Sequence, residues 1–227
     1  MLNFGFLGGL CVVSVTLLGT LHVVHGWQVQ QHAGSLMELG RKAQDGGDLK
    51  AAKDYFGRYV GLVPSDMQAR ADYGLLLDQA GASKRQVFMV FEDVLRAEPT
   101  REEIRRRQIE IAMETGRHPD ALVHVKFLRQ SYPTDGKLDF QAGRCSEELA
   151  EYADALKAYD AALEHDPDLL DTYERMARLC QTRLDRSERA KKLLDTMVER
   201  FSKSPRSWLT RAIPGGVRFV GGGSVGY

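Results

Sequence analysis

Four prolines, Pro64, Pro99, Pro133 and Pro167, stand 35, 34 and 34 residues apart. A period of this length marks a chain built from stacked supersecondary units, and nothing else in the sequence constrains the fold as strongly. The positions between the prolines keep one skeleton. Phe56, Phe91, Val125 and Tyr159 each precede their proline by eight residues, and Ala52, Val87, Ala121 and Ala155 precede it by twelve. Gly47, Gly81 and Gly116 fall about seventeen residues ahead of theirs, where two helices must turn. Each unit therefore reads as a helix, a tight turn, a second helix, and a proline that cannot continue it.

Residues 40–64, GRKAQDGGDLKAAKDYFGRYVGLVP, align without a gap on residues 143–167, GRCSEELAEYADALKAYDAALEHDP. Gly40 meets Gly143, Ala52 meets Ala155, Phe56 meets Tyr159, and Pro64 meets Pro167. The alanines permit close approach, because antiparallel helices come within about 8–10 Å only where contact residues are small. The large side chain four residues later fills the space between one helix pair and the next. A single pair cannot bury its apolar face, so the units must stack.

This skeleton resembles the tetratricopeptide repeat family. Leu36, Leu39-Gly40, Ala52, Phe56 and Pro64 fit the pattern W-x2-L-G-x2-Y, A-x3-F, P, and Ala142-Gly143, Ala155, Tyr159 and Pro167 fit it again. The resemblance covers residues 33–205, as units 33–66, 67–100, 102–135, 136–169 and a looser 170–205. The second unit departs from it, with Val87 in place of the alanine and one residue inserted near Ser83. The expected fold class is all-α, a solenoid of helix-turn-helix units preceded by a single N-terminal transmembrane helix. Residues 206–227 form a Gly-rich tail. SPRSWLTRA begins a sixth unit that IPGGVRFVGGGSVGY, with six glycines, fails to complete, so the tail is expected to be disordered or the array shortened.

The membrane expectation rests on residues 4–24, which hold 21 residues without Asp, Glu, Lys or Arg. At 1.5 Å per residue that stretch matches a bilayer core of roughly 30 Å, and Trp27 follows where an interfacial aromatic would sit. The rival is a secretory signal cleaved near Val24–Gly26. The run lacks a preceding Lys or Arg and exceeds the usual apolar core of about 7–15 residues, so residues 1–32 are read as an anchor and its flank. Which side of the membrane the repeats occupy is left open. Cleavage would instead leave a secreted or periplasmic protein.

Thirty-one basic and 31 acidic residues balance, so no whole-chain field favours nucleic acid. Arg105–Arg107 and the basic run 186–206 are interleaved with acids and lack an aromatic platform. Cys11, Cys145 and Cys180 show no metal-ligand spacing, and the last two read as small core residues. His118, His124 and His165 have no carboxylate or cysteine at ligand spacing; His165 closes a helix, where it complements the dipole. Glu102-Glu103 and Glu147-Glu148 are adjacent pairs that point apart, and read as solvated faces. No nucleophile motif, phosphate loop or metal motif occurs, so neither an enzyme nor a cofactor is expected.

What the resemblance implies instead is a groove lined by the first helix of each unit. Carried onto this chain, it presents Met37 and Arg41, then Leu75, then Arg106 and Glu110, then Phe140, Arg144 and Arg178. Arginines among apolar side chains suit an acidic or amphipathic partner. The family's lysine–asparagine clamp for a terminal carboxylate is absent as usually built, since Asn3 is the one asparagine. The expected role is a membrane-anchored scaffold that binds a protein or peptide, with self-association as a further expectation. The alternative is the repeat portion of a larger enzyme or secretion machine.

Overall fold

The computed structural model describes residue 20 and residues 31–212. The apolar stretch 4–24, Thr20 apart, and the tail 213–227 lie outside the described residues. Among the described residues no helix is long and apolar enough to cross a membrane.

Every regular element among the described residues is an α-helix. The chain begins with α1, helical over 31–45, followed by α2 (Leu49–Leu62), α3 (Met67–Gln79), α4 (Lys84–Ala97) and α5 (Glu102–Glu114). Then come α6 (His118–Ser131), α7 (Gly136–Glu148), α8 (Tyr152–His165), α9 (Leu170–Thr182), α10 (Ser187–Arg200) and α11 (Pro205–Ala212). Pro64, Pro99, Pro133 and Pro167 each stand two residues beyond a helix end, where a missing N–H removes nothing from the ladder. Short acids and a serine start several helices. Asp48, Asp66 and Ser83 accept from the backbone N–H three residues on, and Asp135 from the N–H groups of Lys137 and Leu138.

The turns inside the units follow one design. Gly47, Gly81 and Gly116 take φ of +76°, +69° and +71°, and the N–H after each returns to the carbonyl five residues back. At the fourth turn Ala150 adopts φ +61° with the same bond, from Glu151 N to Ser146 O. The residue inserted near Ser83 lengthens the second turn. Two residues, Ala82 and Ser83, separate Gly81 from α4, whereas Asp48 alone separates Gly47 from α2.

The chain divides into two compact units, residues 1–104 and 105–227. In the first, Ala52, Phe56 and Leu76 form a buried cluster. In the second, Ala155, Leu156, Tyr159, Met176, Ala177, Leu179, Cys180 and Ala190 do so. Cys145 and Cys180 are buried free thiols, and burial pushes the Cys145 thiol up to about 11.

The aligned glycines have a packing role. A Cβ on Gly143 would lie 2.5 Å from Tyr159 Cε1, one on Gly74 2.5 Å from Phe91 Cε1, and one on Gly40 2.9 Å from Phe56 Cδ2. Each ring of a second helix thus sits in a notch left by the glycine of its own first helix. Ile109 occupies the equivalent notch position of the third unit, and there the facing residue is Val125; both are fully buried. In the fifth unit Ala177 takes the glycine's place and Leu193, packed on its cluster, the ring's. Side-chain size is traded across the pair so that volume is conserved.

Candidate partner-binding site

In the second compact unit, α7, α9 and α11 enclose a cleft of about 260 Å³ lined by Phe140, Arg144, Asp171, Glu174, Arg175 and Arg206. The helical period puts these residues there. On α7, Leu138, Ala142 and Cys145 turn inward as one stripe, which leaves Phe140 and Arg144 together four residues apart. On α9, Met176, Leu179 and Cys180 are buried, and Asp171, Glu174, Arg175 and Arg178 follow one another along a neighbouring stripe.

The charges in and beneath this cleft are mostly satisfied within the chain. Glu147, only 15% exposed at its side chain, accepts from Tyr159 Oη at 2.6 Å, Arg175 Nη1 at 3.1 Å and Arg178 Nη2 at 3.0 Å. Burial, reinforced by the Glu147 charge, pushes the Tyr159 phenol well above its ordinary range, so it remains a donor. Arg206 pairs with Asp171 and with Glu174, whose side chain is almost fully buried. Arg144 is the exception. It is half-buried over the Phe140 ring, 5.9 Å from its centroid, and its guanidinium meets no carboxylate among the described residues.

The other groove residues expected from the sequence are distributed as follows. Met37 packs against the Ala52–Phe56–Leu76 cluster, Arg41 is exposed on α1, and Leu75 is half-buried on α3. Arg106 bonds Asp135 at 2.8 Å and lies 5.2 Å from the centre of the Tyr132 ring. Glu110 is exposed and pairs with Arg107. Phe140 packs 6.0 Å from Tyr159, ring centre to ring centre, and Arg178 joins the Glu147 network. Phe140 and Arg144 are the two that share the cleft.

Two sequence expectations need correction. Glu147 is not on a solvated face, because α7 turns it toward the two arginines of α9 while Glu148 remains exposed. His165 does have a carboxylate partner. Its Nδ1 lies 2.7 Å from Asp139 Oδ2, and that carboxylate, 1% exposed, is also 2.8 Å from Arg129. The arginines of Glu147 come from the first helix of the next repeat, and the Asp139 partner of His165 from the other helix of its own repeat, so spacing along a single helix carries no sign of them. Arg105 is likewise buried, 3.8 Å from the centre of the Phe127 ring and 2.9 Å from His124 Nδ1. It is therefore withdrawn from any phosphate. No cluster suited to a metal occurs among the described residues.

No family model matches the chain, and no curated protein matches it significantly. Solved structures do. YrrB, described as a TPR protein with an unusual peptide-binding site, superposes with a TM-score of 0.66 at 16% identity over 78% of this chain and 91% of its own. MamA of Desulfovibrio magneticus RS-1, from its residue 41 to the end, gives 0.64 at 16% identity over 77% of this chain and 97% of its own. A second MamA crystal structure gives 0.66 at 13% identity over 77% and 94%. The fold is that of the tetratricopeptide repeat. At these identities the likeness extends to architecture and not to any particular ligand.

Proposed function

We propose that this chain is a non-catalytic interaction scaffold, that its repeats bind an extended peptide or a helix from another protein, and that residues 4–24 anchor it in a membrane. One observation carries the binding proposal. In a cleft where Arg175 and Arg206 are already neutralised, Arg144 is the cation left without a carboxylate among the described residues, held over Phe140. A partner's carboxylate supplies the missing charge, and the Phe140 ring gives an adjacent side chain an apolar seat. The repeat fold shared with a peptide-binding protein supports this reading. Anchoring would raise the partner's effective concentration at the membrane and make a moderate affinity sufficient.

Crosslinking capture from native membranes tests the scaffold. The intact chain should hold a partner that Arg144→Glu loses while helicity is unchanged, since a reversed charge repels the same carboxylate. Equal capture by both proteins would exclude this cleft as the binding surface. Intact-mass measurement of the membrane-purified protein tests the anchor, and loss of residues 1–26 would overturn it.

A further inference from the structure

The first compact unit holds a cleft of its own, about 510 Å³, walled by Lys53, Asp54, Gly57 and Arg58 on α2, Tyr73 on α3 and Gln86 on α4. Most of its wall comes from second helices of the repeats, α2 and α4, whereas the scaffold reading assigns the partner to first helices. Several charges nearby are paired within the chain. In the same unit Arg70 bonds Asp93 at 3.1 Å, Lys84 bonds Asp78 at 2.8 Å, and Asp66 accepts from Tyr59 at 2.8 Å. Here Lys53 and Arg58 make no ion pair among the described residues. Arg58 forgoes even Asp54, four residues before it on the same helix and favourably placed to pair.

Gly57 keeps the cleft open at its centre. A side chain there would press on Tyr73, since a Cβ would lie 3.2 Å from the phenolic oxygen. The hydroxyl therefore lies at the cleft wall. Burial, then the Asp54 charge, raises the Tyr73 phenol above its ordinary range, which leaves it a proton donor at neutral pH. The lining offers an ammonium, a guanidinium, a phenol and a primary amide against one carboxylate, so donors outnumber acceptors. Such a wall is satisfied by an acceptor-rich anion. The volume falls in the range of ligand clefts, about 300–1,000 Å³, and admits side chains of a docked segment rather than a lone ion.

We infer that the α2–α3–α4 cleft is a second docking site, independent of the first-helix cleft, and that it receives an acidic peptide segment whose carboxylate bridges Lys53 and Arg58 and accepts from Tyr73. The proposal does not rest on the Arg144 reading. A scaffold with two such sites holds two segments at once, or two parts of one partner.

The test uses the full chain in detergent and a benzophenone-bearing, fluorescein-labelled peptide of alternating Glu and Ala, with its Gln–Ala counterpart as control. Anisotropy gives affinity, and photo-crosslinking followed by mass spectrometry gives position. The Glu–Ala peptide should label residues flanking this cleft. Lys53→Gln with Arg58→Gln should weaken that labelling about tenfold or more, as the loss of two charged contacts requires. Tyr73→Phe, which removes one hydroxyl and leaves the packing, should weaken it less. Arg144→Gln should leave it unchanged. Absence of labelling at this cleft, labelling there indifferent to the paired substitution, or equal labelling there by the Gln–Ala peptide would each overturn the proposal. Loss of this labelling on Arg144→Gln would reduce the two sites to one.

Discussion

Gly143→Ala puts the notch-and-ring packing to a quantitative test. On an exposed helix the change would stabilise by about 1 kcal/mol, because alanine is the better helix former. Here the new Cβ meets the fully buried Tyr159 ring, 2.5 Å from Cε1, far inside van der Waals contact. The ring has little freedom to retreat, since its hydroxyl is fixed to Glu147 at 2.6 Å. Overpacking of this kind costs about 1–3 kcal/mol, and stretching a hydrogen bond to a charged group adds about 1–2 kcal/mol. After the propensity gain, net destabilisation should be about 2 kcal/mol. The pair Ala177 and Leu193 shows how the chain itself solves the problem. Gly143→Ala combined with Tyr159→Leu should therefore lose less than the two single variants together, with a coupling of at least about 1 kcal/mol. Urea unfolding of the full chain in mild detergent, followed by far-ultraviolet circular dichroism, measures all four proteins. Stabilisation by Gly143→Ala, or a coupling indistinguishable from zero, would refute the reasoning.

Three other changes should behave predictably. Ala150→Gly should stabilise by about 0.5–1 kcal/mol in the same assay, because Ala150 holds a left-handed φ of +61° that disfavours a Cβ. Glu147→Gln removes the charge shared by Arg175 and Arg178 and should destabilise by about 2–3 kcal/mol, whereas Glu148→Gln, on the exposed side, should be near neutral. The backbone N–H of Ala69, aided by the Tyr59 hydroxyl, holds the Asp66 carboxyl below its ordinary value, so its contribution is present above the unfolded carboxylate range of about pH 4 and lost as pH falls through the folded value. The stability gap between wild type and Asp66→Asn, measured by urea unfolding across acidic pH, should close on acidification; a gap constant with pH would count against the bond.

The proline and glycine spacing made the helix pairs legible because φ restriction, left-handed turns and missing donors act within a few residues. The inserted residue near Ser83 was legible for the same reason. The reason for the recurrent glycines of the first helices was not, because it depends on a ring sixteen or seventeen residues later, as in Gly143 with Tyr159 and Gly74 with Phe91. The sites were less legible still. Arg106, Arg144 and Arg178 look alike in the sequence, yet Asp135 holds the first and Glu147 the third while Arg144 meets no carboxylate among the described residues. Those partners lie 29 and 31 residues away, and a charge's availability is a property of the stacked helices rather than of its own neighbours.

Repeats built on one skeleton face a hazard as they leave the ribosome: a second helix can dock on the wrong first helix. The graded notches distinguish the error where they differ. Tyr159 laid against the Ile109 position would collide with a full branched side chain, and Val125 laid against Gly143 would leave a void. Correct docking of the third unit is thus favoured sterically over exchange with a glycine–ring unit. The same fit constrains how such an array changes over generations. A helix cannot be exchanged alone between units whose notches differ, such as the third and fourth; it has to travel with the partner that its notch was sized for.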